Sequence, residues 1–255
     1  MRLQMKARSV VAGLAVLAAG CGTTDAPGPL VPSGDVGRVR FVNVVTDPAR
    51  NPVNAILENV PFGVNLPYTA TTPGSLASPS NAPYGPILTG NRTLVVKRTA
   101  DTSNTLATIT FTVAKDEDKT VYATGGTGGV AVTNVVTTDV NTAALATEAR
   151  MRIVNMSPTA GSVDVFVTAA GADLTAATPD AAGLAVGAAS AYFTKAPGTY
   201  TVRFVPAGTA AAARNGSVTI TLAATAFAGG TGRSIVAADN TTGGAPLRAF
   251  VLIDR

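Results

Sequence analysis

The sequence predicts an all-β protein with two tandem antiparallel β-sandwich domains of the immunoglobulin-like type. Three observations support this prediction: a composition that favours strands and turns, segments in which apolar and polar residues alternate, and a set of motifs that occurs twice. The 255 residues are 46% hydrophobic, 13% charged and 5% aromatic, with 26 glycines and 16 prolines. Valine and threonine, which are abundant here, favour strands, whereas glycine and proline favour turns.

Three segments show the alternation of a half-buried strand. In "TITFTV" (108–113), threonines alternate with apolar residues that include Ile109 and Phe111. The segments "SVDVFV" (162–167) and "TYTVRFV" (199–205) repeat the pattern. A period of two is typical of an antiparallel strand with one buried face. About seven such strands in each half, with turn residues between them, fit a β-sandwich, and a small barrel is the alternative.

One set of motifs occurs twice along the chain. The matching segments are "RVRFVNV" (38–44) with "RMRIVNM" (150–156), "NRTLVVKR" (91–98) with "PGTYTVRF" (197–204), and "ATITFTV" (107–113) with "GSVTITL" (216–222). The first pair shares four identical positions: Arg38 and Arg150, Arg40 and Arg152, Val42 and Val154, and Asn43 and Asn155. The common order and near-constant spacing indicate an internal duplication.

These matches predict one domain at 38–142 and a second at 149–255. Chance similarity among valine- and threonine-rich strands is the alternative. Residues 141–148, "NTAALATE", are alanine-rich, and we expect a short connection with one helical turn there. The last predicted strand, "LRAFVLID" (247–254), is largely apolar on both faces, which predicts a central or closing strand of its sheet.

The first 20 residues have the three-part pattern of a secretory signal peptide. Arg2, Lys6 and Arg8 give a basic start, and an apolar run of 11 residues follows from Val10 to Gly20. This run is shorter than the roughly 20 residues that a permanent membrane-spanning helix needs. We therefore predict that residues 1–20 are a signal peptide, and a transmembrane anchor is the weaker alternative.

The only cysteine, Cys21, follows this segment directly, in "LAAGC". The sequence resembles the lipobox of bacterial lipoproteins, in which the thiol receives a diacylglyceryl group and the cysteine becomes the new, acylated N-terminus. Ala18 stands where the commonest lipobox residue is leucine, and a plain signal peptide with an incidental cysteine is the alternative. A lone thiol is a liability in an oxidising compartment unless it is capped, and two or more acyl chains anchor a protein stably.

Residues 21–37 carry three prolines and four glycines after the cysteine, which predicts a flexible tether. The lipobox resemblance implies a protein of the bacterial cell envelope, held in the membrane by fatty acyl chains such as palmitate. Gly22 stands where an aspartate commonly retains such proteins at the inner membrane. This difference favours the outer membrane, with the folded part facing the periplasm or the surface.

The composition excludes several kinds of site. Because the chain has no histidine, it cannot form a Ser-His-Asp or Cys-His nucleophile or offer an imidazole metal ligand. Three of its 19 basic residues lie in the first 20 positions, which leaves 16 basic and 15 acidic residues beyond them. Such a chain lacks the basic stripe of nucleic-acid-binding proteins. We predict no cofactor, no metal site, no nucleic-acid partner and no enzymatic activity.

The remaining candidates for a site are an acidic run and two tyrosines. For "KDEDK" (115–119) we predict a solvated hairpin turn rather than a calcium site, because consecutive acidic side chains point in different directions. Tyr68 and Tyr84, in the loop 67–86, are the candidates for a ligand surface, since aromatic rings form binding platforms. The interpretation that we prefer is that both tyrosines fix this long loop against the sandwich.

The motifs "RMRIVNMSPTAGSVDVFV" (150–167) and "APGTYTVRF" (196–204) resemble the bacterial envelope domain DUF4397. Members of that family open with a basic strand, a Ser-Pro turn and a Val-Asp-Val strand. Residues 150–255 match this pattern best, whereas "NVVTDPARNPVNAIL" (43–57) lacks the Ser-Pro and Val-Asp-Val forms. The resemblance implies a β-sandwich-like module, often in tandem and often in lipoproteins, with no known catalytic residues.

These observations predict a non-catalytic, lipid-anchored cell-envelope protein that serves as a structural, adhesion or partner-binding module. Its partners are then membrane lipid, through acylated Cys21, and an envelope protein or glycan. A glycan- or small-ligand-binding lipoprotein is the first alternative, and a pocket lined by Tyr68, Tyr84 or Phe62 would favour it. A carboxylate-based hydrolase is the second alternative. It needs two facing acids about 5–9 Å apart, and the glutamates outside the acidic run lie in no recognisable motif.

Overall fold

The computed structural model describes residues 34–74, 83–140 and 142–255, which belong to one compact unit, Pro32–Arg255. Its strands form two sandwiches. The first contains β1 (Val36–Val45), β2 (Val53–Leu57), β3 (Val60–Leu66), β4 (Thr71–Thr72), β5 (Gly85–Leu88), β6 (Gly90–Arg98), β7 (Thr105–Val113), β8 (Asp118–Gly125) and β9 (Val132–Asp139). The second contains β10 (Ala149–Met156), β11 (Val163–Thr168), β12 (Ala181–Leu184), β13 (Ala188–Ala189), β14 (Phe193–Lys195), β15 (Gly198–Pro206), β16 (Ile220–Phe227), β17 (Thr231–Ala238) and β18 (Arg248–Ile253).

Two short 3₁₀ turns, Thr127–Gly129 and Ala211–Ser217, are the helical segments of the described chain. Within the described residues, no helix has the length and hydrophobicity that a membrane span requires. Both turns lie in connections between strands, so the packing of the molecule is determined by its sheets.

Each sandwich consists of an inner and an outer sheet. The inner sheet of the first sandwich has the order β4-β1-β8-β9, with β5 also paired to β1, and its outer sheet has the order β3-β2-β6-β7. The second sandwich repeats this topology, with β13-β10-β17-β18 and β14 in the inner sheet and β12-β11-β15-β16 in the outer sheet. This duplication confirms the predicted fold class of two β-sandwiches in tandem. We retain 38–142 and 149–255 as the proposed domain limits.

Three apolar cores separate the four sheets. One core fills the first sandwich and another fills the second. A third lies between the two inner sheets and includes Val42, Tyr122, Val154 and Val236. The order of layers is therefore outer, inner, inner, outer, and the two sandwiches pack against each other through their inner sheets.

Each inner sheet contains one parallel pair that the alternation pattern does not predict. β1 runs parallel to β8, with Arg40 opposite Thr120, and β10 runs parallel to β17, with Arg152 opposite Ser234. The other strand pairs are antiparallel. Parallel neighbours need a long connection, and in both sandwiches that connection passes through the outer sheet.

The first strand of each sandwich is buried on both faces because it lies between two cores. Along β1, Val39 and Phe41 pack inside the first sandwich, whereas Val42 and Val44 pack against the second. A strand in this position reads as a continuous apolar run, not as an alternating one. The basic residues within that run are therefore candidates for buried charges.

The last strand, β18, is an edge strand, because it pairs with β17 alone. The prediction of a central strand is wrong, and the two apolar faces have separate causes. Ala249 and Val251 pack against the core of the second sandwich, whereas Phe250 and Leu252 face the first sandwich. Contact between the sandwiches produces the same sequence pattern as a central position would.

The connection between the sandwiches forms a turn in place of the predicted helical turn. The amide of Gly230 donates to the carbonyls of Leu145 and Glu148, both at 2.9 Å. A Cβ atom at Gly229 would lie 1.8 Å from the carbonyl oxygen of Ala146, so the close approach requires glycine at this position. The connection is thus fixed against the turn that precedes β17.

Candidate functional site

The two inner sheets meet around a polar cluster that we call the arginine clamp. Its side chains are Arg40, Tyr84, Thr120 and Asp139 from the first sandwich and Arg152, Tyr192, Ser234 and Asp254 from the second. Each arginine lies on the first strand of its sandwich, β1 or β10, and each aspartate lies at the end of the last strand, β9 or β18. Charged side chains are rarely buried unless they are paired.

The ion pairs of the clamp are exchanged between the sandwiches. Arg40 Nη2 lies 2.8 Å from Asp254 Oδ1, and Arg152 Nη2 donates to Asp139 Oδ1. The exposed fraction of these four side chains is 2% or less. Each sandwich therefore supplies the carboxylate that neutralises the arginine of the other.

A hydroxyl group joins the arginine and the aspartate of each sandwich. In the first, Arg40 Nε donates to Thr120 Oγ1 at 3.1 Å, and Thr120 Oγ1 in turn donates to Asp139 Oδ2. In the second, Ser234 Oγ takes the same place, 2.7 Å from both its arginine and its aspartate partner. These bonds satisfy donors that would otherwise be costly to bury.

A tyrosine ring lies beside each arginine of the clamp. The Arg40 guanidinium lies 4.5 Å from the centroid of the Tyr84 ring, and Tyr84 Oη donates to Asp139 Oδ2 at 2.5 Å. Tyr192 is the equivalent residue, with the Arg152 guanidinium 4.8 Å from its ring. Burial raises the pKa of both phenols well above the usual range, so they donate hydrogen bonds as neutral groups.

The position of Tyr84 corrects the prediction of a ligand surface. This residue is 1% exposed, so it cannot present its ring to a ligand. The preferred interpretation, that the tyrosines fix the long loop against the sandwich, agrees with the contacts of Tyr84. The sequence does not reveal this burial, because the partners of Tyr84 lie in strands distant along the chain.

The two aspartates of the clamp lie on either side of the Tyr84 hydroxyl group and are therefore a candidate pair of facing acids. Tyr84 Oη lies 2.5 Å from Asp139 and 3.5 Å from Asp254. Both carboxylates are buried, however, and are bound by arginine, tyrosine and hydroxyl side chains. A concavity of about 410 Å³ adjoins Arg40, but neither aspartate lines it. The arrangement can therefore hold two sheets together but does not present its acids for acid–base chemistry.

The asparagine of the repeated motif has a structural role in each sandwich. The side-chain amide of Asn43 donates to the carbonyls of Leu66 and Pro67 at 3.0 and 3.1 Å. Asn155 donates in the same way to the carbonyls of Gly161 and Leu184. Both asparagines are fully buried, and they tie the loops at one end of each sandwich to its first strand.

An open concave surface lies at this same end of the first sandwich, and we call it the Tyr68 hollow. Its volume is about 460 Å³, and its lining residues are Pro48, Asn51, Pro52, Asn65, Pro67, Tyr68 and Thr241. Five of them come from the β1–β2 and β3–β4 loops of the first sandwich, Asn65 comes from the end of β3, and Thr241 comes from the β17–β18 loop of the second sandwich. The lining carries no charged side chain and combines apolar rings with amide and hydroxyl groups.

Tyr68 forms part of the wall of the hollow and is held by the second sandwich. Its hydroxyl group donates to the backbone carbonyl of Asp239 at 2.5 Å, and the Arg248 guanidinium lies 5.7 Å from the ring centroid. Burial raises the pKa of Tyr68 to about 12. The ring is half-buried, so one part of it faces solvent while its hydroxyl group fixes its orientation.

The amide groups of the hollow differ in their freedom to bind a ligand. Asn51 Nδ2 donates to the carbonyl of Val45 at 2.6 Å, and Asn51 Oδ1 accepts from Asn43 Nδ2 at 2.8 Å, so this amide is used internally. Asn65 and Thr241, by contrast, are exposed. The groups positioned for a ligand are therefore the Tyr68 ring, the exposed prolines and these two polar side chains.

The other predicted site residues are dispersed. Cys21 and residues 1–33 lie outside the described residues. Phe62 does not line the hollow and packs against the first core. Glu58 lies in the turn between β2 and β3, and Glu148 lies in the connection between the sandwiches.

The acidic run 115–119 crosses between sheets instead of forming a hairpin, because β7 and β8 belong to different sheets. Asp118 is buried and accepts two bonds of 2.7 Å from Arg38, and Lys119 pairs with Glu117 at 2.8 Å. Across the described ranges, no three acidic, histidine or cysteine side chains lie together in a way that could hold a metal ion. The run therefore serves structural ion pairs.

The sequence prediction missed the clamp, although one observation could have suggested it. Arg40 and Arg152 recur at the same position of a duplicated strand whose neighbours are apolar on both sides. A repeated arginine in such a strand indicates a paired, buried charge. Their partners, Asp139 and Asp254, stand at the equivalent ends of the two halves, but only the packing of the inner sheets brings them together.

Comparison with known proteins places these features in a family. No curated protein matches the chain. A solved structure, CBMbc (family CBM26) from Eubacterium rectale Amy13K in complex with maltoheptaose, is similar at 12% identity and a TM-score of 0.25, covering 86% of this chain and 95% of that chain. The family described as "Domain of unknown function (DUF4397)" matches residues 37–166.

The matched range starts one residue before the first Arg-x-Arg motif and includes the second copy at 150–156. It covers the first sandwich together with β10 and most of β11, whereas the sequence motifs placed the resemblance mainly in residues 150–255. The loops that differ from the motif in the first half therefore do not prevent the match. The chain belongs to the DUF4397 family.

Proposed function

We propose that this protein is a non-catalytic, lipid-anchored component of the bacterial cell envelope that binds a partner at the Tyr68 hollow. The observation that carries the proposal is the hollow itself, an open concavity of about 460 Å³ with an aromatic ring, prolines and exposed polar groups. Binding sites are typically concave and mostly apolar, with a few positioned polar groups. Loops at the end of a rigid sandwich are a usual place for such sites.

Binding rather than turnover is supported by the location of the acidic groups. The lining of the hollow contains neither aspartate nor glutamate. Asp139 and Asp254 are buried and paired with arginines in the clamp. A general acid or base must reach its substrate within hydrogen-bonding distance, and the enclosed clamp does not allow this.

The lipid anchor is proposed from the sequence around Cys21. The thiol would carry diacylglycerol, the new N-terminal amine would carry a third acyl chain, and residues 21–37 would span the distance to the folded part. Each buried methylene group contributes about 0.8 kcal/mol of membrane affinity. The absence of aspartate after the cysteine favours the outer membrane as the location.

A second candidate function is the binding of glycans by the same hollow. The half-buried ring of Tyr68 can lie against the apolar face of a sugar, and Asn65 and Thr241 can exchange hydrogen bonds with its hydroxyl groups. A lining without charged side chains suits a ligand whose contacts are ring faces and hydroxyl groups. Adhesion through a protein partner remains the broader proposal.

A pull-down tests the binding proposal: the immobilised full chain is incubated with detergent-solubilised bacterial envelope, and the bound proteins and glycans are identified. Tyr68→Ala removes the ring from the hollow, whereas Tyr68→Phe keeps the ring and removes one hydrogen bond. Thr110→Ala, on the exposed face of β7, is the matched control. We expect Tyr68→Ala to lose bound envelope protein or glycan, with both other variants retaining it. Equal recovery of the same partners by all four proteins would contradict the proposed site.

The anchor has a separate test. Mass spectrometry of the mature protein should find an N-terminus at Cys21 with attached fatty acids, and Cys21→Ala should release the protein from membranes. A mature N-terminus at another residue, or an unmodified Cys21, would overturn the lipoprotein proposal without affecting the hollow.

A further inference from the structure

An arginine stands at the edge of the Tyr68 hollow without a carboxylate partner. Arg248, the first residue of β18, is exposed, and its guanidinium lies 5.7 Å from the Tyr68 ring centroid. No aspartate or glutamate of the described chain lies within 4.0 Å of it. Its stacking on the ring, a contact that stabilises a guanidinium, places a positive charge beside an uncharged concavity.

The acidic groups near the hollow are already used. Asp47 pairs with Arg50 at 3.6 Å. The Asp239 carboxylate accepts from Ser157 Oγ at 2.5 Å and from Thr159 Oγ1 at 2.7 Å, and it is buried. Neither carboxylate forms an ion pair with Arg248, so the guanidinium of Arg248 is available for an external anion.

Resting on the proposed function, we propose that the ligand of the hollow is an acidic saccharide, such as a uronic-acid oligomer. A sugar ring packs against Tyr68 and the prolines, its hydroxyl groups meet Asn65 and Thr241, and its carboxylate pairs with Arg248. A planar guanidinium binds a carboxylate through two parallel hydrogen bonds, which adds both strength and orientation. The positive charge of Arg248 therefore favours acidic sugars over neutral ones, which the uncharged lining alone would bind equally well.

The experiment compares acidic oligosaccharides with their neutral methyl esters. Oligomers of galacturonate, glucuronate and mannuronate are titrated into the full chain by calorimetry at low and high salt, each beside its ester. We expect at least one acid to bind about tenfold or more tightly than its ester, because the ester cannot form the charged pair. This preference should decrease at high salt, since an exposed ion pair is screened.

Two variants separate the local effect from the net charge. Arg248→Gln should remove the preference, so that the acid and its ester bind with equal affinity. Lys97→Gln removes one positive charge on the outer sheet of the first sandwich and should retain the preference. Equal binding of acid and ester by the unmodified chain, or a preference that survives in Arg248→Gln, would overturn the inference.

The outcomes also distinguish this inference from the proposed function. If neutral sugars bind at the hollow and Tyr68→Ala abolishes their binding, the proposed function holds and the acidic specificity is wrong. If an acidic peptide but no saccharide competes for the site, the ligand class is wrong. If neither a saccharide nor an envelope partner depends on Tyr68, the proposed function itself is wrong.

Discussion

Arg40 of the first strand and Asp254, which follows the last strand, form an ion pair of 2.8 Å that joins the two sandwiches. Both side chains are almost completely buried, with at most 1% exposed. Removing two charges from water costs free energy that their attraction repays only with good geometry and further hydrogen bonds. The reciprocal pair between Arg152 and Asp139 makes the clamp symmetric, so its clearest effect is to fix how the inner sheets meet.

Breaking one pair of the clamp should be costly, whereas replacing both partners should not. We expect Asp254→Ala to lower the free energy of unfolding by about 3–5 kcal/mol, because it leaves Arg40 buried without its nearest carboxylate. The double variant Arg40→Met with Asp254→Leu should recover most of this loss. Urea denaturation of the full chain measures both values.

The control for the Asp254→Ala measurement is Lys115→Ala, which removes an exposed ion pair with Asp35. An exposed pair contributes about 0–1 kcal/mol, so the change should be small. Equal losses in Asp254→Ala and Lys115→Ala would show that the clamp contributes nothing beyond an exposed pair.

The folded part should unfold in one cooperative transition. The inner sheets share a core and exchange charges, so neither sandwich can separate without exposing buried charged groups. Differential scanning calorimetry of the full chain should therefore give a single transition. A variant with both Asp139→Ala and Asp254→Ala should give a broader or divided transition. Two well-separated transitions in the unmodified chain would contradict coupling between the sandwiches.

The hydroxyl group of Tyr122 should be dispensable, unlike that of Tyr84. Tyr122 is fully buried in the core between the inner sheets, and its hydroxyl group has no hydrogen-bond partner. Burial raises its pKa to about 12, so the group is neutral. We expect Tyr122→Phe to be neutral or stabilising, because it removes an unsatisfied polar atom, and Tyr84→Phe to cost about 1–3 kcal/mol. Thermal unfolding of the two variants tests this difference, and equal destabilisation would contradict it.

Asp173 should make stability depend on pH below about 4. Hydrogen bonds from the Thr175 amide and from the side chains of Asn215 and Thr175 lower the pKa of this carboxyl group to about 2. A lowered pKa in the folded state means that the ionised group stabilises the fold above the unfolded pKa of 3.8, and that this contribution is lost as pH falls through about 2. Asp173→Asn should therefore have a lower Tm than the unmodified chain at pH 6. The difference should disappear near pH 2, and a difference independent of pH would contradict this assignment.

The fold class follows from local sequence patterns, because the period of two in segments such as 108–113 reflects burial on one face of a strand. The duplicated motif likewise predicts two similar sandwiches. The parallel pairing of β1 with β8 does not follow from these patterns, since it depends on contacts between residues about 80 positions apart. Strand pairing depends on the topology of the sheet, whereas the alternation of apolar and polar residues shows only which face of a strand is buried.

The site could be predicted only in part. Tyr68 lines an open hollow, whereas Tyr84 in the same loop is buried beside Arg40. The two tyrosines have similar sequence surroundings, so their difference arises from packing between the sandwiches. Arg40 and Arg152 were missed for the same reason, because an arginine in a strand more often marks a solvent-facing position.

The Tyr68 hollow takes its wall from one half of the chain and a further lining residue, Thr241, from the other. The bond from the Tyr68 hydroxyl group to the Asp239 carbonyl crosses the same boundary. A chain carrying only the first repeat would thus lack Thr241 and the carbonyl that orients Tyr68, so the proposed binding surface would be incomplete.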